Sequence, residues 1–354
     1  NRAEWNALKF FGRNATYLST GEAGELLDIY HLKKFAFVEW SRIGKLSAET
    51  GAVDAYLDTL AQVFDFERLR GFRVLVDCTN GTSSIILRRM NARFGTEFML
   101  INERLEGRQF AHDPATTWKA VELQLAPLVP HVRADAGFLF DIDSDRVAFA
   151  TETGEAVNEE MVLVLLADAA LEDGPGNLVI TNVSTTALLE EVAAKHGGKV
   201  VRVPVGRQAA IDALNVYRPE QVAVAGEGTG AVMLPQFRFV YDGIASMLRI
   251  LTIMERRGVT LSELVGGYPK YSILKGKIPL ESHRLPEMLN EIESRYPGGT
   301  AMRSDGLRID WPDRWVHVRV SQTEPLVRVI CEQRGEEPRE LFGEVMNIVR
   351  SYTA

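Results

Sequence analysis

Hydrophobic positions fall into short apolar runs that alternate with amphipathic stretches. Arg73–Val76 runs through the small polar turn Asp77-Cys78-Thr79-Asn80-Gly81 into a helix predicted from Ser83 to about Phe94, which Gly95 ends. The unit recurs: Leu178–Ile180 leads through Thr181-Asn182-Val183 into a helix predicted from about Thr185 to His196, closed by Gly197. Ser or Thr at each start can accept unpaired first-turn amides, and Gly at each end can take the left-handed turn that stops a helix. Strands alternating with helices of roughly 10 to 15 residues predict parallel α/β layers. Two such units are expected, over residues 52–150 and 151–268.

After Pro269 the order changes to a strand at Tyr271–Ile278, a helix at Leu285–Tyr296, a hairpin of Leu307–Asp310 with Trp315–Val320, a strand at Leu326–Cys331 and a closing helix at Pro338–Tyr352. That is an α+β pattern, so residues 269–354 are expected to form a separate small domain. Residues 1–51 carry only the short apolar stretch Leu8–Gly12 and an amphipathic helix around Gly21–Phe35. This is too little for a core of its own, and with Asn1 in place of an initiator Met the segment reads as the end of a domain that begins earlier.

Composition narrows the partners. With 354 residues, 46% hydrophobic and 25% charged, the chain is globular rather than disordered. Forty Lys plus Arg against 48 Asp plus Glu give a net charge of −8, and no basic run argues for nucleic acid or a membrane surface. An anionic ligand therefore needs a local basic pocket. Cys78 and Cys331 lie far apart in apolar segments, which fits neither a disulfide framework nor a thiolate metal site and points to a reducing, cytoplasmic setting. No apolar run approaches the ~18 residues of a membrane span, since Met161–Ala167 stops at Asp168.

Three segments carry chemistry. Between the apolar runs Phe138-Leu139-Phe140 and Val147–Ala150 stand Asp141, Asp143 and Asp145, followed by Arg146. Three alternating carboxylates repel one another unless a cation joins them, and an oxygen-only set favours a hard ion such as Mg²⁺. A calcium loop of the EF-hand type would put Glu152 at its twelfth position, but Arg146 stands where its sharp turn needs Gly; a solvated acidic turn is the blander alternative. In Ala225-Gly226-Glu227-Gly228-Thr229-Gly230, glycines permit close backbone approach while Glu227 and Thr229 can hydrogen-bond sugar hydroxyls; a plain tight connection is the competing reading. In Arg319 through Arg328, the arginines Arg319 and Arg328, the hydroxyls of Ser321 and Thr323 and several backbone amides suit phosphate, unless the arginines only face solvent. A cation loop, a hydroxyl-reading loop and a phosphate cradle together point to phosphoryl transfer on a phosphosugar.

These residues resemble the α-D-phosphohexomutase family. Asp141 through Arg146 is similar to its metal loop D-G-D-G-D-R, Gly226 through Gly230 to its sugar loop G-E-x-S-G, and Arg319 through Arg328 to its phosphate loop R-x-S-x-T-E-P-x-x-R. Asn1 through Phe10 resembles the end of the stretch that carries the family's phosphoserine, a serine not among these 354 residues. The resemblance implies tandem related mixed-sheet α/β domains and a C-terminal α+β domain of the TATA-binding-protein-like type. Residues 1–51 would then be the end of domain 1, 52–150 domain 2, 151–268 domain 3 and 269–354 domain 4. It implies interconversion of hexose 1-phosphate and hexose 6-phosphate through a phosphoserine enzyme and a hexose 1,6-bisphosphate.

Under it Asp141, Asp143 and Asp145 hold one Mg²⁺, Arg146 supports the transferring phosphate, and Lys9 is the general acid/base, its pKa expected to be lowered. Arg207, Glu227, Thr229, Arg319, Ser321, Gln322, Thr323 and Arg328 bind the substrate. Ile142 and Ser144 replace glycines of the family pattern, Ala231 stands where some members have His, and Gln322 replaces Gly or Asn. A phosphosugar-binding paralogue without transfer activity is the alternative. A haloacid-dehalogenase-type phosphatase is a weaker one, since Asp141-Ile142-Asp143 also resembles that family's nucleophile motif. The preferred hexose and the oligomeric state stay open.

Overall fold

The computed structural model describes residues 8–13, 15–105, 107, 110–279, 284–321 and 325–352. Helix α1 (Thr20–His31) opens on a reciprocal cap between Ser19 and Glu22. It stops short of the expected Phe35, where Lys33 takes a left-handed φ of 54°. None of its residues is buried.

The next unit runs α2 (Ala52–Val63), α3 (Phe66–Leu69), β1 (Arg73–Asp77), α4 (Ser83–Phe94), β2 (Glu97–Ile101), α5 (Trp118–Gln124), α6 (Leu128–His131), β3 (Ala136–Phe140) and β4 (Val147–Thr151). Its sheet has the order β2-β1-β3-β4, with β2 and β3 parallel to β1 and β4 antiparallel to β3. The following unit repeats the plan with α7 (Glu160–Asp173), β5 (Leu178–Asn182), α8 (Leu188–Lys195), β6 (Lys199–Val203), α9 (Arg207–Val216), β7 (Val222–Glu227), β8 (Ala231–Met233), α10 (Gly243–Arg257) and α11 (Leu261–Gly266). Its order β6-β5-β7-β8 has the same strand senses. The α/β expectation therefore holds as two mixed sheets of one topology.

Helix α8 starts three residues later than its hydroxyl-rich approach suggests. Asn182 Oδ1 accepts the Ser184 amide at 2.8 Å and the Thr185 hydroxyl at 3.1 Å, so the side chain offers the backbone a turn in place of a helical start. Helix α7 is apolar on nearly every side and lies buried against α8, β7 and α10. Its one buried acid at mid-helix, Asp168, is met by Lys195, His196, Arg257 and Tyr268 at 2.8–3.0 Å.

The last unit comprises β9 (Tyr271–Pro279), α12 (Leu285–Arg295), β10 (Thr300–Met302), β11 (Leu307–Asp310), β12 (Arg314–Val320), β13 (Leu326–Arg334) and α13 (Arg339–Ser351). Its antiparallel sheet is ordered β10-β11-β12-β13-β9. One face, with Val316, Val318, Val327, Val329 and Cys331, packs on α12 and α13. The alternate positions Trp315, His317, Arg319, Arg328 and Glu332 form the other face, as the two-residue strand period requires. No helix among the described residues is long and apolar enough to cross a membrane. Cys78 and Cys331 are both free and buried.

Candidate active site

The chemistry-bearing loops occupy equivalent places in the repeated units. Residues 141–146 join β3 to β4, and residues 228–230 join β7 to β8 directly after Glu227. Both lie at the carboxyl ends of parallel strands, where open α/β sheets bind ligands.

The backbone fixes the two loops against each other. The Val147 amide donates to Gly230 O at 3.1 Å, and the Gly243 amide to Ser144 O at 3.0 Å. Gly230 has φ +78°, and a Cβ there would lie 2.0 Å from Val147 O, so only Gly fits. Ser144 stands in the left-handed region at φ 60°, where the related loop pattern has Gly, and its hydroxyl meets that of Thr82 at 3.1 Å. The serine thus keeps the loop conformation at a strain of about 1 kcal/mol.

Asp141, Asp143 and Asp145 each offer an oxygen within 4.8 Å of the others. Burial, then the charges of Asp145 and Asp143, push the Asp141 carboxyl well above its ordinary value. Burial also works against the Asp143 charge, but the Lys9 ammonium outweighs it and holds that carboxyl below its ordinary value. Lys9 bonds Asp143 and also Asp145, the latter at 2.7 Å.

The expectation of a lowered Lys9 pKa is therefore corrected. Desolvation pulls it down, but its bonds to Asp143 and Asp145 and their charges raise it overall, so Lys9 is here a charged donor. Arg146 Nε stands 3.9 Å from both Asp141 and Asp145. Glu152 bonds Ser262 through the side chain and, at 3.1 Å, its amide, which removes it from an EF-hand-like set.

Arg207, at the start of α9, donates to Asp145 Oδ2 at 3.1 Å. Its guanidinium lies over the rings of Tyr17 and Tyr241, 4.4 and 5.5 Å from their centres. The Tyr241 hydroxyl donates to Glu227 at 3.2 Å, and burial followed by the Glu227 charge keeps that hydroxyl protonated. Arg146 Nε, Arg207 Nε and Thr229 Oγ1 are buried without a hydrogen-bond partner among the described residues; only Ser83 Oγ shares that condition there. Buried polar atoms are normally paired, so three such atoms on or beside the aspartate loop and the loop bonded to it mark a place for a polar ligand.

In the C-terminal sheet Arg319 stands directly opposite Arg328, which stands opposite Lys277. Like charges in register are unfavourable unless an anion joins them. The Ser321 amide closes the strand end by donating to Leu326 O at 2.8 Å. Gln322 and Thr323 lie outside the described residues. Asp305, in the turn before β11, accepts Arg319 Nε at 2.9 Å and the Val205 amide at 2.8 Å. The short segment Val205-Gly206-Arg207 therefore joins the arginine-bearing strand to the aspartate loop.

Sequence reasoning did not single out Tyr17, Tyr241, Lys277 or Asp305. Lys275 and Lys277, alternating on β9, were a readable sign of a basic strand face; the other three carried no motif.

Two sequence models match the chain in succession: "Phosphoglucomutase/phosphomannomutase, alpha/beta/alpha domain II" over residues 54–154 and the corresponding domain III over residues 158–271. The chain belongs to the α-D-phosphohexomutase family. This phosphohexomutase chain is 29% identical over 348 residues to the phosphoglucomutase/phosphomannomutase of Thermococcus kodakarensis, covering 98% of itself and 75% of that relative.

Its fold matches a phosphoglucomutase/phosphomannomutase family protein of Burkholderia thailandensis, with TM-score 0.79, 22% identity, and coverage of 96% of this chain and 70% of the other. It is also similar to Aspergillus fumigatus N-acetylphosphoglucosamine mutase, solved with GlcNAc-6P and magnesium, with TM-score 0.62, 17% identity, and coverage of 85% and 66%. The loop that carries Asp141, directly after β3, lies within the domain II match, which leaves the dehalogenase alternative without support.

Proposed function

We propose that this phosphohexomutase interconverts hexose 1-phosphate and hexose 6-phosphate by way of a hexose 1,6-bisphosphate, in the cytoplasm. The observation that carries the reading is the convergence of the aspartate triad with the unpartnered Arg146, Arg207 and Thr229 atoms, linked through residues 205–207 to Arg319. The triad fits a hard divalent ion, being oxygen-only, mostly buried and mutually repelling. When bound by Asp141, Asp143 and Asp145, Mg²⁺ supplies positive charge for the oxygens of a transferring phosphoryl group.

The chain's own side chains divide the remaining work. Arg319, Ser321, Arg328 and, by resemblance, Gln322 and Thr323 hold the phosphate that is not reacting. Glu227, oriented by Tyr241, and Thr229 bind ring hydroxyls that keep their places when the bisphosphate turns over. Arg146 and Arg207 hold the phosphoryl group at the other end through charge-assisted bonds. Lys9, charged, gives a proton to the departing sugar oxygen and takes one back in the reverse half-reaction. The phosphoryl group itself comes from the family's motif serine, which is not among these residues.

A coupled assay of the full-length protein with glucose, mannose and glucosamine 1-phosphates tests the proposal and identifies the hexose. Gluco and manno substrates differ in one hydroxyl orientation, a discrimination of roughly 1–3 kcal/mol. Asp143→Ala is expected to lower kcat/KM by about a hundredfold or more without loss of folding. Full turnover in EDTA would remove the metal from the reading, and binding without turnover in the phosphoserine-bearing protein would favour the binding-only paralogue.

A further inference from the structure

The turn at Arg303–Gly306 is held unusually firmly for a connection between two short strands. Gly306 has φ +72°, and a Cβ there would lie 2.2 Å from Val318 O, so the turn rests directly on β12. His317 Nε2 donates to Asp305 O at 2.6 Å. A carbonyl only accepts, so Nε2 carries the proton, and His317 Nδ1 accepts from the Ser184 hydroxyl at 2.7 Å.

The Asp305 carboxylate projects from this fixed turn into two partners at once. Its Oδ2 accepts Arg319 Nε at 2.9 Å and the Val205 amide at 2.8 Å. Both side chains of the ion pair are largely buried, at 6% and 15% exposure, so the contact is not screened like a surface pair. Holding the Nε corner leaves the two terminal nitrogens of Arg319 as the fork that matches a phosphoryl group. It also supplies negative charge at the end of the row formed by Arg319, Arg328 and Lys277. Two residues beyond Val205, after a turn at Gly206 with φ 130°, Arg207 reaches Asp145.

We propose that Asp305 is a positioning residue that couples the phosphate-holding end of the cleft to the metal-holding end. It sets the Arg319 guanidinium and, through the Val205 amide, the loop that carries Arg207. Capture of a phosphate by Arg319 thereby steadies Arg207 beside the aspartate loop. This inference rests on the phosphosugar reading above.

The test combines amide hydrogen exchange at residues 203–207 with calorimetric titration by glucose 1-phosphate, mannose 1-phosphate and glucosamine 1-phosphate. In the wild type, the sugar phosphate that binds slows exchange across 203–207. In Asp305→Ala the Val205 amide exchanges faster, the ligand no longer slows it, and affinity falls by about tenfold or more, the loss of a charge-assisted bond. Asp305→Asn keeps an accepting oxygen for Val205 but no charge for Arg319, so protection without ligand stays near wild type while affinity still falls. A purely structural role would not separate the two readouts, and the Asn variant serves alone if the Ala variant does not fold. Equal ligand-induced slowing in wild type and Asp305→Ala, or wild-type affinity in Asp305→Asn, overturns the coupling and leaves the function standing. Absence of wild-type binding to all three sugar phosphates overturns the function and the coupling with it.

Discussion

At the scale of single residues, the site is defined by charges that the fold brings closer than they would choose. Asp141 is buried beside Asp143 and Asp145, and its carboxyl is raised. A carboxyl raised in the folded state contributes stability that is fully present at pH below its unfolded value and is lost as pH rises through the folded value. At pH 7.5, far above the unfolded value, the group therefore works against folding in the absence of metal. Asp141→Asn is expected to raise the Tm in EDTA by a few degrees and to abolish the rise that Mg²⁺ gives the wild type, since a ligand stabilises only the state that binds it. Melting curves with and without Mg²⁺ check both effects, and a retained Mg²⁺ response would exclude Asp141 as a ligand. Residues of this kind were legible in the sequence because a single loop holds them at alternate positions. Tyr241 and Asp305 were not: Tyr241 meets Glu227 14 positions away, and Asp305 meets Val205 100 positions away. No local pattern encodes such pairs.

At the scale of elements, α10 shows how a helix end can anchor a loop. Asp242 caps it by accepting the Ala245 amide at 2.9 Å and also takes the Tyr56 hydroxyl at 3.0 Å. The next amide, Gly243, donates to Ser144 in the aspartate loop. Asp242→Ala is expected to cost about 1–2 kcal/mol for the cap and about 1 kcal/mol more for the stranded hydroxyl. Asp242→Asn, which keeps the accepting oxygen, should lose much less; urea denaturation of both variants measures the difference. The connection at Gly230 is stricter. Gly230→Ala must move Val147 O or abandon its left-handed φ, and a loss of about 1–3 kcal/mol is expected in the same experiment.

The central strands β1, β3, β5 and β7 were readable because burial on both faces gives each an unbroken apolar run, with charged or polar residues only toward the strand ends. Strands β2 and β6 escaped notice because each lies at a sheet edge and is only partly buried, so Glu97 and Lys199 blur the run.

At the scale of the molecule, two α/β units of one topology are joined by a third whose sheet turns its polar face toward the second of them. That face touches the second unit through polar groups, with Glu159, Glu160, His317 and Glu332 buried: Glu332 accepts the Ala187 amide at 2.7 Å, Lys275 meets Glu159 at 2.9 Å and Glu160 at 3.0 Å, and His317 meets Ser184. An interface so polar depends on protonation state, and His317 is the group whose protonation breaks a contact across it. Burial pushes its pKa down to about 4 from 6.5, with the charges of Arg308 and Arg319 acting the same way against the pull of Asp305. A protonated ring would have to donate from both nitrogens, and the Ser184 hydroxyl would lose the acceptor it now has. Because the unfolded chain binds this proton more readily, the stabilisation is fully present above pH 6.5 and is lost as pH falls toward about 4. By pH 5 the loss amounts to roughly 2 kcal/mol, at 1.36 kcal/mol per pH unit. His317→Gln, whose amide can donate to Asp305 O and accept from Ser184 without titrating, should flatten this part of the profile. Urea denaturation of wild type and variant at pH 7 and pH 5 gives the comparison: an equal drop in both would show that the acid sensitivity does not come from His317, nor from Glu160 or Glu332, whose raised carboxyls favour the fold as pH falls.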